Sequence, residues 1–273
     1  MVPLMMLVRP PIPCESLALR GLTRMTGTET GRMSASTIAG LLHKPGQSTF
    51  LNPALMAMNV LEFDVAEAIL AELAPLADEV RAMELDDTVF DLSSGLRLYN
   101  QRPTDWKSDI CWLSNADESA YWWFDSLFRR LKLDEAVKPF VAHDSQIRLY
   151  SGFFVTRSRC TAHDMHHDWL TPDNTAFTVM APLTQNACAM GLAYRSVHGD
   201  EREYRYRLGK GVAFGSGFLH STATGELDER AVFLSLTFGT DRMDEWDTIE
   251  RTAGRQGRFF CQPDGVFRHV GGD

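Results

Sequence analysis

The chain has 273 residues, 44% of them hydrophobic, and its 36 acidic residues outnumber its 27 basic ones, giving a net charge of −9. This length and apolar content are enough for a sizeable core in one domain. The charge excludes the basic surface of a general nucleic-acid binder, and no apolar run has the length of a membrane span.

Residues 1–45 differ in composition from the rest, with four Arg against two Glu and many Ser and Thr. This composition is compatible with a transit peptide, with a mobile tail, or with a start codon assigned too far upstream. The five cysteines are scattered without paired metal-site spacing, which favours reduced thiols and a cytoplasmic location, or an organellar one if the segment is a transit peptide. Residues 46–273 are predicted to form a single domain.

Residues 51–141 show helical periodicity. Asp64 followed by Glu67 predicts a capping box, and apolar residues recur at helical spacing from there to Met83. A second helix is predicted over 119–133. Both helices are expected to buttress one face of a sheet, and a strand followed by a loop is predicted after Gly95.

Trp106 and Trp112 lie in this region and allow two interpretations. Large aromatic side chains near predicted helices most often belong to the core. Alternatively, they belong to a loop at the mouth of the site and contact a substrate.

The pattern changes to short strands separated by turn residues from about residue 142 onward. The predicted strands are 147–156, 176–183, 191–197, 203–208, 212–214 and 230–238. Many short strands with Gly-rich turns favour a sandwich or barrel over a parallel α/β sheet. The sequence therefore predicts a mainly β fold with flanking helices, with its β core at about 142–273.

Two His-x-Asp pairs occur within this β region. His198 and Asp200 lie in a polar turn between two predicted strands, only 22 positions before His220. His166 lies 54 positions before His220, which leaves room for about four strands with their turns. We therefore interpret the pair at 198 and 200 as an exposed turn.

His166, Asp168 and His220 are the candidate metal ligands. Residues two apart in an extended segment project to one face, so His166 and Asp168 can bind the same ion. His220 follows a Gly-rich segment that permits a tight turn. Two imidazoles and one carboxylate form the facial triad of non-heme Fe(II) oxygenases, which leaves positions open for cosubstrate and O₂.

The segment from about Arg148 to Thr240 resembles the Fe(II)/2-oxoglutarate-dependent dioxygenases, whose core is a double-stranded β-helix (jelly-roll, cupin-like). Their His-x-Asp pair, distal His and following Arg or Lys match His166, Asp168, His220 and Arg230. The spacing is most similar to that of the phytanoyl-CoA dioxygenase-like branch. Many members carry Ser or Thr two residues after the Arg, where this chain has Val232.

The resemblance implies Fe(II), 2-oxoglutarate and O₂ as cofactors and the three candidate ligands as the catalytic site. It implies hydrogen abstraction from a small molecule, giving hydroxylation with release of succinate and CO₂; desaturation or oxidative cyclisation would begin in the same way. An amino-acid derivative or an intermediate of specialised metabolism is the expected substrate. The acidic charge disfavours nucleic acid and basic proteins as partners.

Three further residues are candidates for binding acidic groups. Arg230 would bind the free carboxylate of 2-oxoglutarate, because a buried carboxylate needs a bidentate cationic partner; the alternative is an Arg at a strand end beside Glu229. Arg148 and Tyr150 share one face of a strand. If that face lines the barrel, Tyr150 binds the cosubstrate and Arg148 an anionic substrate; otherwise both lie on the surface.

Two other classes of protein remain open. A redox-neutral cupin-like metalloenzyme, an isomerase or lyase, would use the same ligands without needing Arg230. A non-catalytic β-sandwich binding module would bind no stoichiometric iron.

Overall fold

The computed structural model describes residues 49–50, 59–84, 88–103, 106–139, 141–171 and 175–270. The segment 1–45, for which a tail or transit peptide is predicted, lies outside the described residues, and its separation from the domain stays a prediction.

The described residues form fourteen strands, four helices and one 3₁₀ turn. The strands are β1 (Thr49–Phe50), β2 (Val60–Asp64), β3 (Val89–Asp91), β4 (Arg97–Gln101), β5 (Cys111–Asn115), β6 (Arg148–Cys160), β7 (Ala176–Pro182), β8 (Gly191–Arg195), β9 (Glu201–Arg205), β10 (Lys210–Phe214), β11 (His220–Thr222), β12 (Gly225–Gly239), β13 (Phe259–Cys261) and β14 (Phe267–His269). The helices are α1 (Glu67–Ala82), α2 (Glu118–Arg130), α3 (Leu133–Val137) and α4 (Trp246–Gln256), and the 3₁₀ turn is Gln185–Ala189.

The strands assemble into one large antiparallel sheet and two small ones. The large sheet has the order β1-β2-β10-β7-β12-β6-β5-β4-β3, and a smaller sheet has the order β11-β8-β9. β13 and β14 form a separate hairpin. The predicted mainly β, jelly-roll architecture is confirmed, and four strands, β7 to β10, lie between His166 and His220 as their spacing predicted.

The two faces of β12 explain how the layers pack. Val232, Leu234 and Leu236 belong to the large hydrophobic core shared with α1 and α2. The alternate residues Ala231 and Phe233 belong to a second core that includes residues of the small sheet. Because successive side chains of a strand point to opposite sides, β12 separates the helical layer from the space between the sheets.

The helices follow the predicted pattern, with one correction at a helix start. Asp64 ends β2, so it does not cap α1; the N-cap residue is Ala66, which makes no side-chain cap hydrogen bond. α2 is capped by Asp117, whose side chain accepts a hydrogen bond from the Ala120 N–H at 2.8 Å. Within the described ranges, no helix is long and apolar enough to cross a membrane.

One close approach joins α2 to the large sheet. Gly152 lies in the fully paired strand β6 beneath the ring of Phe124, which is itself completely buried. A Cβ atom at position 152 would lie 2.1 Å from Phe124 Cγ. Only glycine allows the helix to pack this closely on the sheet.

Candidate metal centre

His166 and His220 are brought together by the backbone. They form an isolated antiparallel bridge in which each N–H donates to the carbonyl of the other, at 2.8 and 3.0 Å. His220 begins β11, whereas His166 lies in the segment between β6 and β7. This pairing places two residues that are distant in sequence side by side, with ring centroids 4.8 Å apart.

Asp168 completes a compact set of three ligand atoms. Its Oδ1 lies 3.4 Å from His166 Nε2 and 3.8 Å from His220 Nε2. One ligand atom from each of the three residues lies within 4.8 Å of the other two. The three predicted metal ligands therefore converge on one point.

Hydrogen bonds orient both imidazoles toward that point. His166 Nδ1 contacts the Asp164 carbonyl at 2.6 Å, and His220 Nδ1 contacts the Phe218 carbonyl at 3.0 Å. A carbonyl can only accept, so each Nδ1 carries a proton, and in the neutral form of each imidazole the lone pair is on Nε2, which faces Asp168. This is the arrangement in which outer partners fix the tautomer of metal-binding histidines.

The carboxylate of Asp168 is oriented by a hydrogen bond to its second oxygen. Its Oδ2 accepts a hydrogen bond from the Thr178 hydroxyl at 2.8 Å, and that hydroxyl accepts one from Trp169 Nε1 at 3.0 Å. The Trp169 ring points into a buried cluster with Tyr150 and Trp246. Its Nε1–H therefore fixes the direction of the Thr178 proton, and Oδ1 is left to face the histidines.

The charge states of two ligands suit a divalent cation. Burial disfavours ionisation of Asp168, but the hydrogen bond and charge of His166, together with His220 and Thr178, outweigh it and lower its pKa to about 2. Burial lowers the pKa of His220 to about 4 against the attraction of Asp168. An anionic carboxylate and a neutral imidazole are the forms that bind metal.

The donor set fits Fe(II) and the related divalent transition metals. It offers two imidazole nitrogens and one carboxylate oxygen within 4.8 Å of one another, which is the donor set of the facial triad. Each donor is fixed by a hydrogen bond to another group. The residues present therefore fit the metal that the sequence predicts.

The ligands open into a cavity with an aromatic wall. The cavity is lined by His166, Asp168 and His220 together with Trp106 and Trp112. The Trp106 ring lies 5.1 Å from the His166 ring and packs edge-on against Trp112 at 5.2 Å. Both interpretations hold in part, because the two tryptophans line the cavity and Trp112 is also a buried member of the second core. Contact with a substrate stays a prediction.

Arg230 does not reach this cavity. It has the same side-chain direction as Val232 on β12, toward the helical layer, and its Nη1 donates to the Met83 carbonyl at 2.8 Å. The prediction that it binds the cosubstrate carboxylate is therefore not supported by its position.

Arg148 and Tyr150 also lie away from the cavity. Tyr150 is completely buried beside Trp246 and donates to the Thr240 carbonyl at 2.8 Å. Arg148 Nε donates to the Pro263 carbonyl at 2.7 Å. Both side chains tie the strand to the C-terminal part of the chain, so neither of the two predicted alternatives, barrel interior or free surface, describes them.

The second His-x-Asp pair and His163 lie outside the centre. His198 and Asp200 lie in the exposed turn after β8, as predicted, and Gly199 between them has φ +86°. His163 Nδ1 pairs with Glu201 at 2.8 Å. Thus spacing distinguished the ligand pair from the second His-x-Asp pair.

Arg157 and Thr178 are cavity residues that sequence reasoning missed. The predicted strand ended at residue 156, whereas β6 continues to Cys160 and carries Arg157 on the same face as Phe153 and Val155. A charged residue continuing an apolar strand face was the available signal. Thr178 gave none, because its role depends on contacts with Trp169 and Asp168.

Replacing Thr178 with Val is expected to weaken metal binding by about 10- to 100-fold, because Asp168 loses the hydrogen bond that orients it. Titration with Co(II), followed by its visible spectrum, measures the change. Thr237→Val is the matched control, since Thr237 is paired with Thr178 across the sheet and its hydroxyl donates to the Ser151 carbonyl instead. Equal affinities for the two variants would contradict a role for Thr178.

Comparison with known proteins adds the fold family. No protein-family model matches the chain, and no curated protein matches it significantly. The fold is similar to that of solved structures with a jelly-roll core. The chain is similar to the non-heme alpha ketoglutarate dependent carbocyclase SnoK from nogalamycin biosynthesis, with a TM-score of 0.50, 11% identity, and coverage of 72% of this chain and 87% of that one.

Two other solved structures are similar at slightly lower scores. The non-heme alpha ketoglutarate dependent epimerase SnoN from nogalamycin biosynthesis has a TM-score of 0.49 and 10% identity, with coverage of 76% of this chain and 85% of that one. A Pseudomonas putida prolyl-4-hydroxylase has a TM-score of 0.47 and 14% identity, with coverage of 74% and 98%. At these identities the comparison shows the fold alone, and the placement in the phytanoyl-CoA dioxygenase-like branch stays a prediction.

Proposed function

We propose that the chain is a non-heme Fe(II)- and 2-oxoglutarate-dependent oxygenase acting on a small molecule. The observation that carries the proposal is the convergence of His166 Nε2, Asp168 Oδ1 and His220 Nε2 at the wall of a cavity. The jelly-roll fold is compatible with this proposal. The site carries the argument, because one fold can support many different functions.

The three ligands would hold Fe(II), which together with 2-oxoglutarate and O₂ supplies the oxidising power to remove hydrogen from a C–H bond. The protein's own part is orientation and exclusion of water. The hydrogen bonds to Nδ1 of both histidines hold their rings in place, and Thr178 holds the carboxylate. Trp106 and Trp112 cover the site on one side and keep the reacting region apolar.

Hydroxylation, with release of succinate and CO₂, is the outcome we propose. Desaturation and oxidative cyclisation begin with the same hydrogen removal, and the fold-related SnoK is described as a carbocyclase. What decides between them is how the substrate radical lies relative to the site, which the cavity walls determine.

The cavity favours a small substrate with an apolar part. Its wall contains Ile110, Met180 and Leu192 beside the two tryptophans, and Gln256 adds a buried amide. Such apolar walls with a few polar groups are typical of small-molecule sites. An amino-acid derivative or an intermediate of specialised metabolism fits this lining. We propose a cytoplasmic location, with which the four free thiols among the described residues are compatible.

A redox-neutral metalloenzyme, an isomerase or lyase, is the second candidate. The position of Arg230 favours it, because that residue cannot bind a cosubstrate in the cavity. Such an enzyme would bind the metal and release no succinate.

The test is anaerobic addition of 2-oxoglutarate to the iron-loaded protein, followed by exposure to O₂. A visible charge-transfer band, its absence in His166→Ala, and slow release of succinate after O₂ are expected. Stoichiometric iron without a band or succinate would reject the oxygenase in favour of the redox-neutral candidate. A well-folded protein that binds no iron would reject both.

A further inference from the structure

Arg157 is a buried cation whose hydrogen bonding is incomplete. Only 2% of the residue is exposed, and its Nη1 donates to the Thr222 hydroxyl at 2.8 Å. Within the described ranges, its Nε and Nη2 have no hydrogen-bond partner, and no carboxylate forms an ion pair with it. By contrast, the half-buried Arg129 pairs with both Asp125 and Asp134.

An unpaired buried guanidinium is costly, because it loses its hydration without gaining an opposite charge. Such groups are retained where a ligand supplies the missing charge. The two unsatisfied nitrogens, Nε and Nη2, are adjacent on the planar guanidinium and form the fork that binds a carboxylate bidentately. The missing partner is therefore an anion, and a carboxylate matches its shape.

Arg157 lies in the same cavity as the metal ligands. Its partner Thr222 follows His220 by two residues on β11, so both side chains point to one face about 7 Å apart along the strand. A five-carbon dicarboxylate that chelates a metal at His220 with one end spans such a distance with its other end. Arg157, which is bonded to Thr222, is therefore within reach of the far carboxylate of such a molecule.

The neighbouring strand leaves room for this side chain. Ala231, at the start of the regular part of β12, lies directly opposite Arg157 and has only a methyl group. The guanidinium then lies 4.7 Å above the ring of Phe233, a stacking that holds its plane. A longer side chain at position 231 of β12 would occupy this space. Because residue 231 is alanine, Arg157 on β6 fills the space instead.

Tyr206 supplies a second donor beside the guanidinium. Its ring lies 5.9 Å from the Arg157 guanidinium carbon, and its hydroxyl, on a residue 2% exposed, makes no well-aligned hydrogen bond in the described part of the chain. Burial, partly offset by the charge of Arg157, raises the pKa of Tyr206 to about 12. The hydroxyl therefore stays protonated and able to donate.

We propose that Arg157, assisted by Tyr206, binds the distal carboxylate of 2-oxoglutarate, the role that the sequence had indicated for Arg230. This inference rests on the proposed function, because it assumes that 2-oxoglutarate is the cosubstrate. The residue that binds this carboxylate would then lie on β6, the strand that pairs with β12.

The test compares two keto acids that differ at the far end. 2-Oxoglutarate and 2-oxobutanoate share the chelating end, but only the first has a distal carboxylate. Anaerobic titration of each into the Fe(II)-loaded protein, followed by the charge-transfer band, gives the affinities. Arg157→Gln is expected to weaken 2-oxoglutarate binding by about 100-fold, since it removes a charged bidentate pair, and to leave 2-oxobutanoate binding and Fe(II) binding nearly unchanged.

Two further variants keep the result interpretable. Tyr206→Phe preserves the packing of the ring and is expected to weaken 2-oxoglutarate by several-fold, again without effect on 2-oxobutanoate. Arg230→Gln is the matched control on β12 and is expected to leave both affinities unchanged. In the absence of cosubstrate, Arg157→Met should unfold at the same temperature as the wild type or higher, because it removes an unpaired buried charge; a purely structural arginine would give a lower value.

Three outcomes would overturn the inference. The first is equal affinity of the wild type and Arg157→Gln for 2-oxoglutarate, which would indicate that the guanidinium binds a carboxylate of the primary substrate instead. Weakened binding in Arg230→Gln alone would restore that residue as the anchor. A wild type that binds iron but neither keto acid would remove the proposed function together with this inference, which distinguishes the two failures.

Discussion

Replacing His220 with Ala is expected to abolish stoichiometric binding of Fe(II) or its spectroscopic substitute Co(II), with a loss of affinity greater than about 100-fold. The loss of an outer hydrogen-bond partner already costs up to about that factor, and here a nitrogen ligand itself disappears. His220 is 5% exposed and contributes one of only three ligand atoms in the group. Equilibrium dialysis against Co(II), combined with its visible spectrum, measures the effect.

His198→Ala is the matched control for this experiment. It removes the same side chain from the second His-x-Asp pair, in an exposed turn outside the metal centre. We expect wild-type affinity for this variant. A loss of metal in His198→Ala, with binding retained in His220→Ala, would show that the ion is bound elsewhere.

Replacing Gly152 with Ala is expected to lower the free energy of unfolding by about 3 kcal/mol or more, the upper range for overpacking a core. The added methyl carbon would lie 2.1 Å from Phe124 Cγ and 2.4 Å from its Cβ, so turning the ring cannot relieve the contact. Helix α2 would have to move away from the sheet. Urea denaturation followed by circular dichroism measures the change.

Gly254→Ala is the same substitution in a different environment and should raise the free energy of unfolding rather than lower it. Position 254 lies inside α4, and an added Cβ there meets no atom within 4 Å. Alanine is favoured over glycine in a helix by about 1 kcal/mol, so this variant is expected to be more stable than the wild type. If both variants were destabilised alike, the close packing at Gly152 would not be the cause.

The sequence allowed the architecture and the convergence of the three candidate ligands to be predicted, because both follow from strand patterns and their spacing. Strand alternation and turn residues located most strands to within a few residues. The separation of His166 from His220 had to hold four strands, and β7 to β10 fill it. His198 belongs to the same motif, but it lies too close to His220 in sequence to leave room for four strands.

The direction of the Arg230 side chain could not be predicted, for a physical reason. Alternation shows which residues of β12 share a face, but from Ala231 to Gly239 both faces are buried, so it does not show which face lines the cavity. The pairing with β6 shifts register between Glu226 and Ala231. Arg230 lies in this irregular stretch, and its hydrogen bond to the Met83 carbonyl shows that it extends toward the helical layer.

The reciprocal hydrogen bonds between His166 and His220 would couple the binding of a metal ion to the backbone pairing of the two segments. One ion would fasten the long connection before β7 to the small sheet, acting as a reversible cross-link between segments distant in sequence. Local opening of this connection and release of the ion then become one equilibrium. At a free metal concentration of 100 times the dissociation constant, that linkage adds about 2.7 kcal/mol to the stability of the folded chain. The protein's resistance to unfolding would thus follow the metal supply of its surroundings.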